Sequence, residues 1–154
     1  MITVAIMGIL LSLSSAIFFG GIKFFRQTQS IGETQRDARR VFDLINRELR
    51  QAQASTLIIT RFNSSNPPCS MVQFTKKTGD AVCFYQSGSK FYIKNTTDNT
   101  LNQMADNLRA VIFTYPDTTD DKLVSVSICF EKATYEGGAK ALQLSAQKIL
   151  IMND

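Results

Sequence analysis

The sequence predicts an α+β fold in which one long N-terminal helix, transmembrane in its first half, packs on an antiparallel β-sheet. Three observations carry this. Residues 1–22 hold no charge and Lys23 is the first to do so; about 20 apolar residues, at ~1.5 Å rise each, suffice to cross a bilayer core. The chain then continues without a proline or a turn cluster into a charged amphipathic segment, Arg36 to Gln53. Beyond it, short β-rich runs alternate with polar turns. One helix is therefore expected from Ile2 to about Ser55. It would be roughly 80 Å long, more than a chain of 154 residues can bury end to end.

The first half is not uniformly greasy. Gly8, Ser12, Ala16 and Gly20 recur every fourth residue and form a narrow stripe where another helix can approach closely. Small residues are also common in membrane helices for no such purpose. Gly20-Gly21 is a soft spot, because each glycine in a helix costs about 1 kcal/mol against alanine. A cleaved secretory signal is the rival reading of this stretch. It calls for a basic start and a shorter apolar core, whereas this run is long and begins without a basic residue.

From Ile31 onward, Ile31, Ala38, Val41, Phe42, Ile45, Leu49 and Ala52 fall at helical spacings and make one apolar stripe. Ile31, Ala38, Phe42, Ile45 and Leu49 are the expected helix–sheet contacts. The sheet would come from Leu57–Arg61, Met71–Thr75, Ala81–Gln86, Lys90–Lys94, Leu108–Tyr115, Lys122–Glu131 and Leu142–Met152, separated by Gly-, Pro- and Asn-rich turns. Leu101–Asn107 reads as either a helical turn or a short strand. The apolar phase of the last run shifts between Ala146 and Ile149, which predicts a bulge or an end of burial. The domain division is 1–25, a hydrophobic assembly helix, and 26–154, an α+β domain.

Charge and chemistry exclude several function classes. The chain has 17 basic and 13 acidic residues, net +4. Arg26, Arg36, Arg39, Arg40, Arg47 and Arg50 cluster on the helix but alternate with Glu33, Asp37, Asp43 and Glu48, and no aromatic platform accompanies them. A solvated helix face is the better reading, and no nucleic-acid partner is expected. Without histidine the usual base near neutral pH is missing. No phosphate loop or nucleophile elbow occurs, so no catalytic residue is assigned. No cofactor is expected either. Asp117, Asp120 and Asp121 are a weak calcium candidate, since carboxylates in a turn suit that ion, but Asp also favours turns on backbone grounds alone. Cys69 and Cys83 flank an expected hairpin and are the disulfide candidate, closing a loop worth ~3 kcal/mol in an oxidising compartment. Three buried thiols are the alternative.

The segment Ile2-Thr3-Val4-Ala5-Ile6-Met7-Gly8-Ile9-Leu10-Leu11 resembles the start of type IV pilin-like proteins, just after their processing site. Arg36–Gln53, Asn107–Asp117 with its Tyr115-Pro116-Asp117, Leu123–Ile128 and Lys140–Ser145 resemble the minor pseudopilins of the J type in type II secretion and the related W-type minor pilins. The family's glycine–phenylalanine processing site and the glutamate that follows it would lie ahead of Met1, so neither is assigned to a residue here. The resemblance implies a pilin-like fold and a structural, non-enzymatic subunit. Such a subunit sits in the bacterial inner membrane, single pass, with its C-terminal domain in the periplasm. It then joins the tip of a pilus-like fibre and primes assembly with other minor and major pilin-like subunits. The alternatives are a single-span, membrane-anchored periplasmic ligand-binding module and an enzyme secreted behind a signal peptide.

Overall fold

The computed structural model describes residues 2–117, 122–134 and 140–153; of these, the side chains at 2, 4, 5, 9–13 and 16 lie outside the description. The molecule is α+β, with one long N-terminal helix packed against antiparallel sheets. Helix α1 is Ile2–Arg50, 49 residues without a break, or ~74 Å of rod. Its second half is rich in Arg and Gln and carries Glu and Leu, all good helix formers. Arg47 and Arg50 in the last turn complement the negative end of the helix dipole.

The helix stops earlier than the sequence predicts. Gln51 and Ala52 N–H groups donate back to the Glu48 and Leu49 carbonyls at 3.1 Å, tightening the final turn. Ala54–Thr56 then forms a separate short 3-10 turn. Gln53 is drawn away because its N–H donates to the Thr75 carbonyl at 2.9 Å.

Among the described residues eight strands follow, in two sheets rather than one. The first is a meander in the order β1 (Ile58–Thr60), β2 (Met71–Thr75), β3 (Ala81–Ser87), β4 (Lys90–Asn95), β5 (Thr100–Ala105). Its turns are made by the expected residues. Gly79 takes φ +94° in the β2–β3 turn, and Gly88 takes φ +59° in the β3–β4 turn, a region that favours glycine. Leu101–Asn107 resolves as strand β5 plus a turn, with Asn107 at φ 59°. That turn carries the chain into the second sheet, β6 (Leu108–Thr114), β7 (Leu123–Ala133) and β8 (Lys140–Leu150).

The predicted bulge in the last strand is absent. β7 and β8 pair in continuous register from Leu123↔Leu150 to Ala133↔Lys140. The apolar pattern shifts because burial alternates on the other phase. Ala141 and Ile149 are buried, while Leu142, Leu144 and Leu150 are exposed. Irregularities fall instead between Phe91 and Tyr92 opposite β5, and between Leu108 and Ala110 on β6.

The core lies between α1 and the two sheets. Val41, Ile45 and Leu49 of the helix are fully buried with Phe84 and Phe91 of the first sheet and Phe113, Val124, Val126 and Ile128 of the second. Each large apolar side chain buried there contributes roughly 1.5–3 kcal/mol. The chain's end closes the packing. Ala54 N–H donates to the Asn153 carbonyl at 3.1 Å, and Asn153 Nδ2 donates to the Arg50 carbonyl at 3.1 Å.

Candidate assembly surface

The exposed first half of α1 is the most distinctive surface of the molecule. Ile17, Phe18, Phe19, Phe24 and Phe25 are each about two-thirds exposed or more. Gly8 and Gly20 sit in the open, and a Cβ built on either meets nothing within 4 Å. Their smallness therefore answers to no contact within one chain. Ser12 and Ala16, the other two residues of the stripe, have side chains outside the described residues. Next to the stripe, Gly21 leaves a depression of about 420 Å³ lined by Ile17, Phe18, Ile22, Phe25, Arg26 and Gln29. Among the described residues no helix is long and apolar enough to cross a membrane. The side chains outside that set include Ile2, Val4, Ile9, Leu10, Leu11 and Leu13 of the apolar run.

The second half of α1 holds the rod to the sheets. Ala38, Phe42, Ile45 and Leu49 are buried as expected, together with Val41. Ile31 is a correction, being 40% exposed. At ~100° per residue it shares the angle of Leu49, but it lies where burial along the rod only begins, and there the buried residues are Ser30 and Thr34. Thr34 satisfies its hydroxyl by donating to the Ser30 carbonyl at 2.7 Å, so it packs without an unpaired donor.

Ion pairs pin the same element at two points. Lys132 of β7 meets Glu33 of the helix. The Lys132 hydrogen bond, helped by one from Gln29, holds the Glu33 carboxyl below its ordinary range. Lower down, the buried Glu48 is met at Oε2 by the Lys76 ammonium and at Oε1 by Arg47 at 3.2 Å. Oε2 accepts no hydrogen bond of ordinary geometry, so Lys76 acts there as a charge. On the second sheet Glu131 lies between Lys140 and Arg109; the Lys140 hydrogen bond holds its carboxyl below the usual range.

Arg36, Arg39, Arg40, Asp43, Leu44 and Arg47 of α1 form a groove of about 650 Å³ with Met104 of β5. The arginine cluster seen in the sequence is thus one wall of a groove.

Several features escape sequence reasoning. Gln86 is buried and ties the two sheets together. Its Nε2 donates to the Gly88 carbonyl at 2.8 Å and the Arg109 carbonyl at 3.2 Å, and its Oε1 accepts from Val111 N–H at 3.0 Å. Phe62, Tyr85 and Tyr92 stack in a row across the first sheet, with ring centroids 4.2 and 5.4 Å apart. Neighbouring strands place Tyr85 opposite Tyr92, a pairing that only register reveals.

The disulfide expectation is corrected. Cys69, Cys83 and Cys129 are free thiols. Cys83 stands opposite Gln73 on β2, while Cys69 turns toward β6, its carbonyl accepting from Phe113 N–H at 2.9 Å. Burial pushes the Cys83 thiol up. Of the calcium candidates, Asp120 and Asp121 lie outside the described residues, and among the described residues no cluster of His, Cys, Asp or Glu is arranged to hold a metal. No protein-family model matches the chain, and no curated protein matches it.

Proposed function

We propose that the chain is a minor pseudopilin or minor pilin: a pilin-like, single-span inner-membrane subunit that joins the tip of a pilus-like fibre and primes assembly. One observation carries the reading. A single unbroken helix is anchored by its second half to two sheets, and the described side chains of its first half are exposed. A bare apolar rod costs about 25 cal/mol per Å² of apolar surface left in water. Lipid or neighbouring helices remove that cost, and the same rod can exchange one for the other. The open positions at Gly8 and Gly20 favour close helix contact, which in a membrane comes from small residues. The expected division is an assembly helix at 1–25 and a periplasmic domain at 26–154. In this reading the protein is not an enzyme. Its partners are other pilin-like subunits and the membrane.

The test separates insertion from assembly. Gly8→Leu and Ser12→Leu chains are expressed in the native host with a photocrosslinking residue in place of Phe18. Membrane fractionation reads insertion, and crosslinked adducts with neighbouring subunits read assembly. Insertion is expected to be unchanged, while adducts drop about tenfold, which corresponds to ~1.4 kcal/mol of lost contact. Equal loss of both signals would count against a packing role for the stripe.

A further inference from the structure

We infer that the groove between α1 and β5 takes an acidic, extended segment of a partner protein. This rests on reading the chain as an assembly subunit, because the occupant is taken to be another protein. Two independent features meet at the border of the groove, where Met104 is the β5 residue that lines it. The first is charge. Arg36, Arg39, Arg40 and Arg47 line it, and Asp43 is the one carboxylate among its lining residues. Arg36 and Arg40 are a like-charge i,i+4 pair, an arrangement that disfavours a helix by itself. A partner's carboxylates convert that repulsion into charge-assisted, two-pronged hydrogen bonds.

The second feature is backbone. β5 is the last strand of its sheet, and Thr100, Leu101, Asn102 and Gln103 are exposed along it. An edge strand offers a row of N–H and C=O groups to any extended chain laid beside it. Met104, at the register shift opposite Phe91 and Tyr92, reaches into the groove beside Leu44 and gives it an apolar floor. A phosphate-bearing ligand would meet the arginines but cannot supply alternating donors and acceptors to the strand. A polypeptide with acidic side chains supplies both.

The probe is a fluorescein-labelled peptide alternating Glu and Thr, titrated by anisotropy against the full chain in neutral detergent. A second peptide has the same sequence, N-methylated at alternate residues, and so keeps its carboxylates but cannot pair as a strand. The plain peptide is expected to bind, with slowed amide exchange confined to residues 100–104. N-methylation and the R36E/R40E variant are each expected to weaken binding by at least about tenfold. Lys90→Glu, away from the groove, should leave it unchanged. If the double variant loses its fold, Arg36→Gln alone carries the comparison. Absence of binding overturns the proposal. Equal binding of the N-methylated peptide, or equal competition by heparin or phosphatidylglycerol vesicles, also overturns it, because the groove is then a generic anion surface. A chain that crosslinks into fibres through its rod yet ignores the peptide refutes the groove alone. Peptide binding by a chain that never joins a fibre supports the groove and refutes the assembly reading.

Discussion

Gln86 shows how much a single side chain can decide. Both of its polar atoms are used, and two of its three bonds end on the backbone of β6 rather than on its own sheet. In Gln86→Leu the buried Val111 N–H and the Arg109 carbonyl lose their partner. Each unpaired buried group costs about 1–3 kcal/mol, so the variant is expected to lose about 2–4 kcal/mol. Urea denaturation would show this as a lower midpoint with an unchanged slope. Nothing in the sequence marks this residue, because its partners on β6 are backbone groups more than twenty positions away. Asn107 hides its role for a similar reason. Leu101–Asn107 reads as a helical turn or a short strand, and nothing in it shows that its last residue passes the chain between sheets.

At the scale of elements, the sequence tells most where residue type and angle agree. Val41, Ile45 and Leu49 are apolar and lie on the helix's inner line, so their burial follows from spacing alone. Ile31 is apolar and shares the angle of Leu49 but lies where burial along the rod begins and is exposed, whereas the polar Ser30 and Thr34 are buried there. Ile45→Ala is therefore expected to cost about 2–5 kcal/mol, and Ile31→Gln to stay within about 0.5 kcal/mol, both read from thermal or urea melts. β8 inverts the usual rule. Its inward positions include Ala141, Gln143 and Ser145, while Leu144 is 72% exposed on the other side. Hydropathy alternation locates such a strand but assigns it the wrong face. The bare first half of the helix was legible from composition. The groove beside it was not, since Met104 and the arginines are far apart in the chain.

At the scale of the molecule, the rod and the platform separate cleanly. Among the described residues burial begins at Ser30, and no described side chain of the first 25 residues is buried. A chain beginning at Arg26 is expected to fold cooperatively and sediment as a monomer in buffer without detergent. The full chain is expected to need detergent or lipid. Loss of the cooperative melt on truncation would show that the rod contributes to the fold. The unbroken run of α1 has a mechanical corollary. From Ser30 back to Ile2 it is a cantilever of about 42 Å clamped at one end. Tilting the clamp by roughly ten degrees swings the tip through about 7 Å. Small rocking of the sheets is thereby geared up into a displacement as wide as a side chain, at the end proposed to meet neighbouring subunits.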